Sequence, residues 1–164
     1  MRAYNKIELE KVARETSFIR DNLEKVIRLS NILEFLVSND DLKGKVVLKG
    51  GTAINLTVFD MPRLSVDIDL DYCCNSDKDT MMADRAVIGQ EILGYMQSNG
   101  YTLHPSSKNT HALDSWVFSY LNAGGNRDNI KIEINYMMRA HILEPLTRKT
   151  SVPFIEEVDV YALA

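Results

Sequence analysis

Apolar residues in the first forty positions recur at intervals of three and four, which is the spacing of one face of an α-helix. Ile7, Leu9 and Val12 begin one such stretch. A longer stretch follows, with apolar positions at Leu23, Val26, Ile27, Leu29, Ile32, Leu33, Leu36 and Val37. The pattern predicts that residues 1–40 are helical, and we expect both stretches to pack on a sheet.

The rest of the chain alternates between shorter strand-like and helix-like patterns. Lys45 to Leu48 is typical of a short buried strand, and Tyr101 to Leu103 of another. Between them, Asp77 to Gln97 has the spacing of a third helix. A further strand is predicted over Val158 to Tyr161. No internal repeat or interdomain linker interrupts this order, so we expect residues 1–164 to form a single domain.

A β-hairpin is predicted over residues 115–138. Its first strand alternates Trp116, Phe118 and Tyr120 on one face, and turn residues follow at 122–126. In the returning strand the isoleucines at 130, 132 and 134 share one face, so Glu133 points the other way with Lys131. Glu133 is either a functional carboxylate or, with Lys131, an ordinary surface charge.

The run from Arg63 to Tyr72 carries an acidic face. In an extended strand Ser65, Asp67, Asp69 and Asp71 share one side, while Val66, Ile68 and Leu70 share the other. Like charges two residues apart repel, and a divalent cation would relieve that repulsion. A solvated face is the simpler alternative. We expect Asp71 to lie toward solvent at the strand's end and not to be a ligand.

A Gly-Gly turn precedes this strand. Lys49, Gly50, Gly51 and Thr52 lead into residues 52–59, whose composition favours a short helix. Free N–H groups at a helix N-terminus can bind phosphate, and glycines allow close approach. The turn can also be no more than a turn, and Lys49 can point away from the acidic face. Residues 45–72 therefore combine a candidate phosphate site with a candidate metal site.

The order of these motifs resembles a known family. KGGTAIN followed by RLSVDIDLDY is similar to the GGTAL-like turn and RxSxDxD-like strand of AbiEii/AbiGii toxin nucleotidyltransferases, within the DNA polymerase beta-like superfamily. The resemblance implies an α+β fold with a mixed β-sheet packed with helices, N-terminal helices, a nucleoside triphosphate substrate and a divalent metal, Mg²⁺ or Mn²⁺. It also implies a third carboxylate on a later strand, and Glu133 has that position.

The resemblance assigns the site residues by position. Asp67, Asp69 and Glu133 become the catalytic metal ligands. The residues that the resemblance assigns to nucleotide and phosphate binding are Lys49, Gly50, Gly51, Thr52, Arg63 and Ser65. Ser65 would also hydrogen-bond a metal-bound carboxylate. Family members generally continue into a C-terminal helical region. This chain stops at Ala164, so we expect the resemblance to cover the core portion only.

Composition narrows the choice of partners. The 164 residues carry a net charge of −4, so any contact with RNA must be local. No apolar run is long enough for a membrane span or signal peptide, which predicts a cytoplasmic protein without a membrane partner.

Three functions remain open at this point. The leading one is a toxin of a toxin–antitoxin or abortive-infection system that transfers NMP from an NTP to an RNA such as tRNA, with a cognate antitoxin as partner. The second is nucleotide transfer to a small molecule or protein. The third is a catalytically incomplete nucleotide-binding or interaction module.

Overall fold

The helices fall where the apolar spacing predicts them. The computed structural model describes residues 5–16, 19–51, 67–137, 145–150 and 159–162. Within these residues α1 spans Lys6–Thr16, α2 spans Arg20–Ser38 and α3 spans Lys78–Ser98. The carboxylate of Asp77 caps α3 by accepting a hydrogen bond from the backbone N–H of Thr80. No helix in this part of the chain has the length and apolar character required to span a bilayer.

The strands form one sheet. Their bounds are β1 (Val46–Lys49), β2 (Asp67–Tyr72), β3 (Thr102–Leu103), β4 (Lys108–Asn109), β5 (Leu113–Leu121), β6 (Arg127–Asn135), β7 (Leu146–Lys149) and β8 (Asp159–Ala162). Their order across the sheet is β3-β5-β6-β2-β1-β8-β7, and β4 also pairs with β5. β2 is parallel to β6 and β1 to β8, whereas the other pairs are antiparallel. The predicted mixed sheet and the hairpin β5–β6 are confirmed.

The core lies between α2, α3 and one face of the sheet. Alternate residues of the central strands supply it, because successive side chains of a strand point to opposite faces. Its sheet members include Ile68, Leu70, Trp116, Phe118, Ile130, Ile132 and Ile134, and its helix members include Leu29, Ile32, Leu33, Ile88, Ile92 and Met96. The odd-numbered residues of β2, β5 and β6 therefore point away from the helices.

Helix α1 does not join this core. Leu9 and Ala13 of α1 pack with Leu23 and Ile27 of α2 in a separate small cluster. The prediction that both N-terminal helices pack on the sheet is correct for α2 and wrong for α1. The start of α2 offers an apolar surface that the main core does not use, and α1 covers that surface.

Ile68 provides a test of the strand register. Its side chain is fully buried in the main core, so Ile68→Val removes one buried methylene and should lower the free energy of unfolding by about 1 kcal/mol. Chemical denaturation measures this change. Nucleotide transfer by the folded variant should be unaffected, and a selective loss of activity without a loss of stability would contradict the register.

Candidate active site

Four polar residues from four neighbouring strands lie side by side in the sheet. Lys49 of β1 is paired with Asp69 of β2, Asp69 with Glu133 of β6, and Glu133 with Ser115 of β5. Residues paired in this way are about 5 Å apart and project from the same face. This face is the one opposite the core, because Ile68 and Leu70 fill the core from the same strand. We call it the carboxylate face.

The carboxylate face continues on both sides of this row. Asp67 is paired with Lys131 on β6, and Asp71 with Asn135. The predicted alternation of the acidic strand is therefore confirmed for residues 67–72. The resemblance assigns three metal ligands, and they come from two adjacent parallel strands: Asp67 and Asp69 from β2, and Glu133 from β6. Along the chain, Glu133 comes 64 residues after Asp69.

Asp71 differs from its prediction. It is only 4% exposed, and its carboxylate forms an ion pair with the ammonium group of Lys49. The expectation that it lies toward solvent is wrong, because β1 pairs with β2 up to the end of the strand and brings the Lys49 ammonium group onto the Asp71 carboxylate. The same ion pair shows that Lys49 points onto the carboxylate face, so the alternative in which it points away is also wrong.

The charges of Asp69 and Glu133 are stabilised differently. Burial raises the pKa of Asp69, and the nearby charges of Glu133 and Asp67 raise it further. Burial also acts against ionisation of Glu133, but hydrogen bonds from Lys131, at 2.9 Å, and from Ser115 outweigh it and lower the pKa of Glu133. The negative charge at Asp69 is thus the less well compensated of the two.

These donors fit a divalent cation. Carboxylate oxygens are the ligands that Mg²⁺ and Mn²⁺ prefer, and a cation would offset the charge at Asp69. Among the described residues, however, no group of three His, Cys, Asp or Glu side chains is already gathered around one point. Glu133 is held by Lys131, and Asp71 by Lys49. The roles of Asp67, Asp69 and Glu133 as ligands therefore stay a prediction.

The glycine turn lies directly against Asp69. Gly50 has a φ of +75°, which side chains rarely tolerate, and a Cβ atom built on it would lie 2.9 Å from Asp69 Oδ2. Gly51 follows immediately and is exposed. Gly50 and Lys49 are thus next to the carboxylates, and Gly51 is the following residue of the chain. Three other predicted nucleotide-binding residues, Thr52, Arg63 and Ser65, lie outside the described residues, and their roles stay predictions.

Gly50→Ala should therefore damage both stability and activity. The new methyl group would be strained at this φ and would push against the Asp69 carboxylate, so we expect unfolding free energy to fall by roughly 1–2 kcal/mol. Gly44→Ala is a matched control, because Gly44 has the same φ of +75° with no atom within 4 Å of an added Cβ. Transfer should be lost in Gly50→Ala but kept in Gly44→Ala. Equal transfer by the two variants would contradict a role for the turn in the site.

Two residues of the site were not assigned a function from the sequence. Lys131 donates to Glu133, and Ser115 hydrogen-bonds the same carboxylate from β5. The two-residue period of β6 does place Lys131 on the face of Glu133, but the same period is typical of ordinary surface charges. Ser115 could be found only through the hairpin register, which pairs it with Glu133.

Similar folds occur among solved structures. JHP933 from Helicobacter pylori is 20% identical, with a TM-score of 0.53, and the match covers 79% of this chain and 49% of that one. MenT4, a nucleotidyltransferase toxin from Mycobacterium tuberculosis H37Rv, is 15% identical, with a TM-score of 0.60, and covers 99% of this chain and 55% of that one. At these identities the likeness shows a common fold. The chain spans about half the length of both structures.

The family of the chain follows from its sequence. No curated protein matches it. The family described as "Nucleotidyl transferase AbiEii toxin, Type IV TA system" matches residues 32–164, a stretch that includes β1, β2 and the hairpin that carries Glu133. This match covers well over half of the chain and agrees with the resemblance of its motifs. The chain belongs to the AbiEii nucleotidyl transferase toxin family.

Proposed function

We propose that this chain forms the catalytic core of a toxin that transfers NMP from an NTP to a hydroxyl group of an RNA such as tRNA. The observation that carries the proposal is the pairing of Asp69 with Glu133 beside Lys49 and Gly50. Nucleotidyl transfer needs carboxylates that can hold a cation next to groups that can hold phosphates, and the proximity of these residues supports such an arrangement. Membership of the AbiEii family supports the same chemistry.

In this proposal the carboxylates would bind the metal, and the glycine turn would bind the triphosphate. Asp67, Asp69 and Glu133 would hold Mg²⁺ or Mn²⁺. When bound, such an ion neutralises phosphate charge and lowers the pKa of an acceptor hydroxyl. The backbone N–H groups at Gly50 and Gly51 would orient the triphosphate. The acceptor oxygen would form its bond to the α-phosphorus as the bond to pyrophosphate breaks.

The two lysines of the carboxylate face would set the charge balance of the site. Lys49 is ion-paired with Asp71, which keeps its ammonium group on the carboxylate face. Burial acts to raise the pKa of Glu133, but the 2.9 Å contact with Lys131 helps to lower it and would orient the carboxylate. Both lysines would add positive charge near the phosphates, as would Arg63, while Thr52 and Ser65 would contribute hydroxyl groups.

Lys131→Gln tests this positioning role. The substitution removes the charged donor of Glu133 and should lower transfer about 10-fold, which is typical when a partner of a metal-binding carboxylate is lost. Stability should change by less than about 1 kcal/mol, because the pair is partly exposed. Steady-state transfer and thermal unfolding measure the two effects. Lys131→Arg keeps the charge and should retain most activity, and an equal loss in both variants would argue against the role.

The toxin activity would belong to a two-component system. The family is described as part of a type IV toxin–antitoxin system, which supports a cognate antitoxin as a functional partner. Expression of the wild-type chain should slow bacterial growth, and the Asp67→Asn variant should not. Equal growth inhibition by both would separate toxicity from nucleotide transfer.

The proposed reaction is tested by following the label of α-labelled NTPs. The chain would be incubated with Mg²⁺ and total RNA, and separately with small-molecule and protein acceptors, with Asp67→Asn as control. We expect label in RNA with the wild type and none with the variant. Label only in protein or small molecules would overturn the RNA assignment, and equal labelling by the variant would overturn the site.

A further inference from the structure

A cavity of about 590 Å³ lies at the turn end of the β5–β6 hairpin, where β3 runs beside β5. Its lining includes Thr102, His104, Pro105, Ser119, Leu121 and Arg127. This volume is sufficient for a single nucleotide-sized ligand. The cavity is separate from the row of carboxylates, and nothing in the proposed chemistry uses it.

The lining combines apolar walls with one available cation. Leu121 is 64% exposed although it is large and apolar, and Pro105 is also exposed. Arg127 is exposed, and its guanidinium has no hydrogen-bond or ion-pair partner within the residues that the structure describes. An apolar surface beside a guanidinium suits a flat ring that carries an anionic group, because guanidinium groups bind phosphate in a bidentate manner. A nucleotide has both parts.

The strand register connects this cavity with the candidate active site. Ser119 and Leu121 lie four and six residues after Ser115 on β5, so all three project from the carboxylate face. On β6 the same face carries Glu133, Lys131, Asn129 and Arg127 in that order. At about 3.3 Å per residue, Arg127 lies roughly 20 Å from Glu133. Two cations therefore mark one path along β6 from the carboxylates to the cavity.

The nearest carboxylate does not cancel the charge of Arg127. Asp128 points to the opposite face, where it forms an ion pair with Lys25 at 3.0 Å and accepts a hydrogen bond from the hydroxyl of Tyr120. Lys25 also helps to lower the pKa of Asp128, although burial acts in the other direction. The negative charge next to Arg127 is thus directed away from the cavity. This chain has a net charge of −4, so such a local basic path is what an RNA contact requires.

We propose that this cavity binds a nucleotide of the acceptor RNA strand, with its phosphate on Arg127 and its base against Leu121 and Pro105, while the reacting end of that strand lies at Glu133. The inference rests on the proposed transfer to RNA. Packing of a base against apolar side chains needs no hydrogen-bond code, just as base stacking on aromatic side chains tolerates any sequence. The cavity would therefore orient the acceptor and would not select a sequence.

The test measures binding of a short, fluorescein-labelled single-stranded RNA by fluorescence anisotropy, without NTP. Arg127→Gln and Leu121→Ser should each weaken binding about 10-fold. Arg14→Gln is the matched control, because Arg14 is exposed on α1 and the substitution removes the same charge. Both cavity residues are exposed, so thermal unfolding should show that the variants remain folded.

These binding measurements test the RNA site independently of nucleotide transfer. Undetectable RNA binding by the wild type, or equal binding by Arg127→Gln and Arg14→Gln, would overturn it. AMP that competes as well as the RNA would assign the cavity to a free nucleotide and would also overturn it. If RNA binds as expected but no acceptor becomes labelled in the transfer assay, the proposed function fails and the binding site stands.

Discussion

Asp69→Asn is expected to lower nucleotide transfer by at least about 10³-fold while the fold stays intact. Asp69 lies at the centre of the row, paired with Lys49 on one side and Glu133 on the other. Asparagine keeps the shape of the side chain but removes the charge that would hold a divalent cation. Transfer of label from α-labelled NTPs measures the loss, and wild-type rates in this variant would contradict the assignment.

The same substitution should stabilise the protein at neutral pH. The pKa of Asp69 is raised in the folded state by burial and by its acidic neighbours, so its charged form favours unfolding. This penalty is fully present above the folded pKa and disappears as pH falls below the unfolded value of about 3.9. We expect the Tm of Asp69→Asn to exceed that of the wild type by roughly 1–3 °C at pH 7. Asp40→Asn, at an exposed position, is the control.

Arg85→Met should cause the largest loss of stability, about 3–5 kcal/mol in unfolding free energy. The guanidinium of Arg85 on α3 donates two hydrogen bonds to Asp114 of β5, at 3.0 and 2.5 Å, and Asp114 is only 3% exposed. It also donates to the carbonyl oxygens of Thr110 and His111 and lies over the ring of Tyr136. Removal of the cation leaves a buried carboxylate without its partner.

A double variant separates the pair from the packing. Arg85→Met combined with Asp114→Leu removes both charges, and we expect it to recover much of the stability lost in Arg85→Met. Chemical denaturation measures both. A loss below about 1 kcal/mol in the single variant would mean that the ion pair does not anchor α3 to β5.

Local periodicity was enough to predict most elements of the fold. The alternation of Ile68 and Leu70 with aspartates predicted both faces of β2, and the isoleucines of β6 predicted which face carries Glu133. Each of these patterns depends only on the geometry of one strand. The family motifs then supplied the α+β class and the link between β2 and a distant third carboxylate, which periodicity alone does not give.

The predictions that were wrong concern contacts between segments that are distant in the sequence. Asp71 is ion-paired with Lys49 of the neighbouring strand β1, and α1 packs on α2 because α2 leaves an apolar surface at its start. Neither contact can be predicted from the hydrophobic periodicity of β2 or of α1 alone. Similarly, Lys131 and Ser115 gain a role only when the register pairs β6 with β2 and β5.

A crystal structure of this chain with Mg²⁺ and a non-hydrolysable NTP analogue would show whether the carboxylate face is the active site. We expect a metal ion bound by Asp67, Asp69 and Glu133, with the triphosphate against Gly50 and Gly51. The distance between Lys131 and Glu133 should increase as Glu133 binds the metal. A metal and triphosphate bound elsewhere, with Glu133 still held by Lys131, would show that the site is wrongly assigned.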